Sequence, residues 1–198
     1  MFLDRDGTLT EPRHYPSHPD ELVLQPDIGA PLRALQNAGF ALVVVTNQSG
    51  LARGLFNTDA LDAMHDRLRA LLGHRGVRLD GIYACPHHPD GIVPGYRSVC
   101  RCRKPAPGLL HQAAQDLGLD LSRSWMVGDS ACDIGAGHRA RTRTALIGTQ
   151  PLDDVAPDVQ RATTFEALCQ VLRAPPQRRP GRSSVSGEPG EAGRVRDT

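Results

Sequence analysis

Apolar and polar positions alternate between two kinds of order from the first residue to about residue 173. Phe2-Leu3 reads as the stub of a strand. Phe40 to Val45 is an apolar, partly β-branched run without polar alternation, as expected of a strand buried on both faces. Ile82 to Ala84, Trp125 to Val127 and Thr144 to Ile147 are further short strands. Between them the period changes to that of a helix. Ile28, Leu32 and Leu35 form one stripe that Asp27 can cap and Gly39 can end. Leu61, Met64, Leu68, Leu71 and Leu72 form a second, opened by Asn57 or Thr58 and closed by Gly73 and Gly76. Pro107 suits the first turn of a helix reaching Leu117, with Gly118 beyond it; Ala131 to Arg139 and Phe165 to Leu172 complete the series.

Strand and helix in strict alternation predict an α/β fold: a Rossmann-like, doubly wound, mainly parallel sheet. No insertion of cap size interrupts it, so an open site and a monomer are expected. Residues 85 to 103 follow neither period and must be ordered by something other than a hydrophobic core. From Ala174 the chain turns to Pro, Gly, Ser and Arg, which predicts one folded domain over 1–173 and a disordered tail over 174–198.

Composition removes several classes of function. With 23 basic and 22 acidic residues the net charge is +1, too balanced for the broad positive field that nucleic acid or an anionic membrane selects. The apolar runs are strand-sized, and no basic segment followed by an apolar stretch opens the chain, so neither a membrane span nor a signal peptide is expected. The expected partner is a small molecule and the expected compartment the cytoplasm. All basic residues but one are arginine; the exception is Lys104.

Chemistry-bearing residues gather at the strand ends. Asp4-Arg5-Asp6-Gly7-Thr8 follows the first strand, placing two carboxylates at the edge where open α/β sheets bind ligands. Two acids so close need a divalent cation or divided acid and base roles, although calcium loops and plain turns share the D-x-D-G string. Thr46-Asn47-Gln48-Ser49-Gly50 ends the next strand with groups able to hydrogen-bond a phosphoryl oxygen. Arg103-Lys104-Pro105 precedes a helix start, and Gly128-Asp129-Ser130 with Asp133 supplies further carboxylates.

The five cysteines are an odd number, poor arithmetic for a disulfide framework and better suited to a reducing compartment. Cys85-x-His87 and Cys100-x-Cys102 offer four donors for a tetrahedral zinc that would order residues 85–103, against the alternative of free thiols; His88 competes for the histidine position. Cys132 and Cys169 fall on helices and read as buried. His65, His74, His111 and His138 fall in helices or at their ends and read as surface residues.

The ordered set DRDGT, TNQSG, RKPAPG and VGDSACD resembles the haloacid dehalogenase-like phosphohydrolases over residues 1 to about 170. The strings FLDRDGTL, ALVVVTNQSGLARG, CPHHP and CRCRKPAPG are similar to the branch containing heptose bisphosphate and histidinol phosphatases. The chemistry of phosphomonoester hydrolysis and the resemblance imply the same roles. Asp4 is the nucleophile that forms an aspartyl-phosphate, and Asp6 the acid and then the base. Magnesium is held by the Asp4 carboxylate, the Asp6 carbonyl and Asp129. Thr46, Asn47, Gln48, Ser49, Arg103 and Lys104 contact substrate, and Asp133 stands behind the metal or orients Lys104. The resemblance also favours His87 over His88 as a zinc ligand and brings in His14 and Tyr15 as candidate substrate contacts.

Two departures stand out. Only three residues precede Asp4, where relatives have a longer first strand, so either the start lies upstream or a short central strand is tolerated. Ser130 stands where relatives often have Lys. A second phosphate on the substrate would call on Arg103, Arg53 and Arg13, whereas histidinol phosphate would call on Glu11, Asp20 or Glu21; the chain holds both sets. A non-catalytic sugar-phosphate-binding module would not need both Asp4 and Asp6.

Overall fold

A computed structural model describes residues 1–150, 152 and 155–174. Its strands are β1 (Phe2–Leu3), β2 (Val43–Asn47), β3 (Gly81–Cys85), β4 (Trp125–Gly128), β5 (Arg143–Ile147) and β6 (Val159–Arg161). The helices are α1 (Gly29–Asn37), α2 (Thr58–Gly73), α3 (Gly108–Leu117), α4 (Ala131–Arg139) and α5 (Thr164–Arg173). All six strands run parallel in the order β3-β2-β1-β4-β5-β6.

Pleating sends alternate side chains to opposite faces. Leu3, Val44 and Val127 join a core with Leu32 and Leu35 of α1, Met64 and Leu68 of α2, and Leu168 of α5. Phe2, Val43, Val45 and Met126 meet Leu109, Leu110 and Ala113 of α3 and Ala136 of α4. The doubly wound sheet is therefore as expected, and no cap-sized insertion occurs among the described residues.

The short first strand is completed by its flanks. Val43 N–H donates to Met1 O and Asp4 N–H to Val127 O, each at 2.9 Å, so hydrogen bonding continues one residue beyond either end of β1. The second strand starts later than its apolar run. Leu42 N–H donates to the Asp80 carboxylate at 2.8 Å, and pairing with β3 begins only at Val43.

Other local differences have similar causes. Asp27 does not cap α1: its φ of 58° is left-handed, whereas a capping residue is extended, and Ile28 precedes the helix instead. Asn57 caps α2 by accepting from Ala60 N–H at 2.9 Å. The edge strand β6 is not legible in the sequence, being two half-buried residues and one exposed residue without an alternating pattern. His65 is a correction to the surface reading. It is 8% exposed because it lies on the inward stripe of α2, between Leu61 and Leu68. Cys132 and Cys169 are half-buried rather than buried. Of the tail, Ala174 packs against the core; residues 175–198 lie outside the described residues. No helix among the described residues is long and apolar enough to cross a membrane.

Candidate active site and metal centres

The carboxyl edge of β1, β2 and β4 brings the strand-end motifs together where the sheet order reverses, between β1 and β4. At its centre stands Lys104, 3% exposed. Its ammonium donates to Asp4 Oδ1 and to Val45 O, both at 2.7 Å, and pairs with Asp133 Oδ1 at 2.6 Å. All three donors are thereby used. Burial opposes its charge, but Asp133 and Asp4 outweigh that and hold Lys104 above the usual lysine range. Asp133 is wholly buried. Its second oxygen accepts from the N–H and hydroxyl of Ser130, so one carboxylate both caps α4 and orients the lysine.

Oxygens of Asp4, Asp129 and Asp133 lie within 4.8 Å of one another. Burial, only partly offset by Lys104, pushes Asp4 up to about 7. Desolvation and then the charge of Asp133 push Asp129 up to about 6. Crowded hard oxygen donors of this kind fit a divalent cation, which relieves their mutual repulsion. Gly7 permits the approach: its φ is 78°, and a Cβ there would stand 2.0 Å from Asp129 Oδ2.

Asp6 is turned onto its neighbour. Arg5, 0% exposed, donates from Nε to Asp6 Oδ1 at 3.0 Å and from Nη2 to Asp6 Oδ2 at 2.9 Å. Gln48 Nε2 donates to the same Oδ2 at 2.9 Å, and its Oε1 accepts from Arg5 Nη2. Gln48 also donates to Thr46 Oγ1 at 2.8 Å. The Thr46 oxygen is thus occupied as an acceptor, while its own proton remains available for an incoming oxygen.

The residues expected to contact substrate divide by what already engages them. Both amide atoms of Asn47 are committed to the Lys104 backbone: Nδ2 donates to Lys104 O and Oδ1 accepts from Lys104 N–H, each at 3.0 Å. Asn47 and Gln48 thus hold Lys104 and Asp6, partners that local sequence could not supply because the fold sets them. Ser49 is buried. His14 is exposed and packs edge-on against Tyr15 with ring centroids 4.6 Å apart. The Arg53 guanidinium lies 5.7 Å from the Tyr15 ring centroid, and its Nη2 is 3.2 Å from His88 Nε2. Burial, then the charges of Arg103 and Arg53, hold His88 below the usual histidine range. Arg13 is exposed.

Cys85, His87, Cys100 and Cys102 converge beside this cleft. Their Sγ atoms are 3.1, 3.2 and 3.5 Å apart, and His87 Nδ1 is 3.4 Å from Cys102 Sγ and 3.7 Å from Cys85 Sγ. Ligand atoms around a tetrahedral zinc stand roughly 3.5–3.8 Å apart; the donors fit that ion in chemistry, and the Cys102 Sγ contacts are a few tenths of an ångström closer than that spacing. His88 is not among them; its Nδ1 accepts from Asp90 N–H at 3.1 Å. Arg103 N–H donates to Cys100 Sγ at 3.3 Å, coupling the cluster to the residue before Lys104.

Residues 101–170 match the family model described as "HAD-hyrolase-like". The chain is 44% identical over 147 residues, 74% of its length, to D-glycero-beta-D-manno-heptose-1,7-bisphosphate 7-phosphatase of Yersinia pestis, covering 78% of that protein. Among solved structures, a putative HAD-like phosphatase from Mesorhizobium loti superposes with a TM-score of 0.78 at 39% identity, over 87% of this chain and 83% of that one. D,D-heptose 1,7-bisphosphate phosphatase from B. bronchiseptica, complexed with magnesium and phosphate, superposes with a TM-score of 0.75 at 32% identity, over 87% and 97%.

Proposed function

From the membership of this chain in the haloacid dehalogenase-like phosphatase family, we propose that it removes the 7-phosphate of D-glycero-D-manno-heptose 1,7-bisphosphate through an aspartyl-phosphate. The relatives from Yersinia pestis and B. bronchiseptica support the substrate. The observation that carries the chemistry is the position of Lys104, shared between Asp4 and Asp133. Lysine holds Asp4 Oδ1, which leaves the second carboxylate oxygen as the nucleophile. That oxygen forms a bond to phosphorus while the bond to the sugar oxygen breaks, and Asp6 gives the leaving oxygen its proton. Asp6 then takes a proton from water as it attacks phosphorus, releasing phosphate and restoring Asp4.

In the structure Asp6 is docked on Arg5 and Gln48, so its carboxyl must rotate from that station to reach the leaving oxygen. Thr46 offers its hydroxyl proton to a phosphoryl oxygen, and Lys104 offsets the charge that gathers there. Magnesium, held by Asp4, Asp129 and the Asp6 carbonyl, supplies charge neutralisation between the nucleophile and the phosphoryl group when bound. Zinc on Cys85, His87, Cys100 and Cys102 has four protein ligands and serves to shape the loop before Arg103. The second phosphate finds Arg103 and Arg53, with the exposed Arg13 and His14 and the half-buried Tyr15 closing the open side. A monomer in a reducing cytoplasm accords with an open site and thiolate zinc ligands.

Phosphate release from both anomers of the heptose bisphosphate, beside histidinol phosphate, tests this reading. Preferential turnover of the bisphosphate is expected, abolished in Asp4→Asn while the fold persists. Preference for histidinol phosphate would overturn the substrate, and substantial turnover by Asp4→Asn the nucleophile.

A further inference from the structure

Two buried polar atoms on different elements lack hydrogen-bond partners: Arg5 Nη1, beside the catalytic loop, and His65 Nε2, on α2. Each is complementary to the other. Arg5 is fully enclosed; Nε and Nη2 serve Asp6 and Gln48, leaving both N–H groups of Nη1 unused. A buried guanidinium donor without an acceptor is costly, so an acceptor there is required. His65 sits on the inward stripe of α2 with Leu61 and Leu68, which pack in one core with Leu3 and Leu9 on either side of the catalytic loop. Burial, and then Arg5 ahead of every other charge, pushes the imidazole down to about 4. The ring is therefore neutral and carries a lone pair, as an acceptor must.

We infer that His65 is a positioning residue: through one buried water it accepts from Arg5 Nη1, and so holds the Arg5 fork that docks Asp6. The inference rests on Asp6 being the acid and base. The Arg5 side chain is closed in on all sides, with Nε and Nη2 held by Asp6 and Gln48, and Nη1 is the one guanidinium nitrogen that no protein atom holds. If that end drifts, the fork loses its two parallel bonds to Asp6 and the carboxyl loses the defined station from which it swings to the leaving oxygen. Nothing in this arrangement touches the phosphate or the sugar, so the effect belongs in turnover rather than in substrate binding.

The test is steady-state kinetics of His65→Leu, His65→Met and His65→Gln, with Asp6→Asn alongside. In Leu and Met, kcat should fall about tenfold, a part of the hundredfold or more that a positioned acid contributes, with KM changed less than about twofold. Glutamine restores an acceptor and should return kcat to within about twofold of the parent. Should Leu fail to fold, Met carries the comparison. Unchanged kcat in Leu or Met, or equal loss in Gln, would overturn the inference while a crippled Asp6→Asn left the general-acid reading standing. An active Asp6→Asn would instead remove that reading.

Discussion

Lys104 Nζ lies 2.7 Å from Asp4 Oδ1 across 100 positions of chain. The pair is completed by Asp133, and it places the only lysine of the protein where three acceptors converge. A compact ammonium satisfies three separately directed acceptors, which a planar guanidinium does not.

Lys104→Arg should therefore lose most activity despite keeping the charge. Lys104→Met leaves two carboxylates without their cation and should lower folding stability by about 3–5 kcal/mol in metal-free protein. Urea denaturation and phosphate release measure the two effects.

Gly7→Ala should weaken magnesium binding more than it weakens the fold. The left-handed φ of 78° costs an alanine about 1–2 kcal/mol, and the added Cβ would displace the Asp129 carboxylate from its place 2.0 Å away. Isothermal titration with magnesium, compared with the melting temperature, separates the two.

Metal-free protein should lose stability as pH rises toward neutrality. Asp4 is raised to about 7 and Asp129 to about 6, so the folded state holds their protons more tightly than the unfolded chain does. That contribution is complete below the ordinary carboxylate range and is lost as pH passes through about 6 to 7. Magnesium binds the deprotonated pair and should reverse the trend. Thermal melts across this range, with chelator and with magnesium, should show melting temperatures falling in the first series and holding or rising in the second.

Cys100→Ser should lower zinc content and activity together, whereas Cys132→Ser should retain the zinc. Arg103 and Lys104 directly follow Cys102, so loss of the ion should also expose the loop over 85–103 to protease. Metal analysis and limited proteolysis check both outcomes.

The α/β alternation and the acidic strand ends were legible because each is local. An apolar run makes Val43–Val45 a buried strand wherever it packs, and the residues that follow a parallel strand necessarily reach the carboxyl edge. The Cys85-x-His87 and Cys100-x-Cys102 pairs were legible for the same reason, their donors being brought near by short spacing. Less legible were Asn57 as the cap of α2 and β6 at the edge, where competing residues or half-exposed positions leave a weak signal.

What a linear reading could not reach is the partner of each polar side chain. Asn47 and Gln48 have the composition of a phosphate-binding turn, yet the register of β2 against the Lys104 segment and Arg5 consumes their amides. Arg5 and His65 look like surface residues by type, and packing buries both. Hydrophobic periodicity is written in neighbours along the chain. Hydrogen-bond partnership and the burial of charge depend on atoms brought together from distant segments, and those are set when the sheet and its helices close.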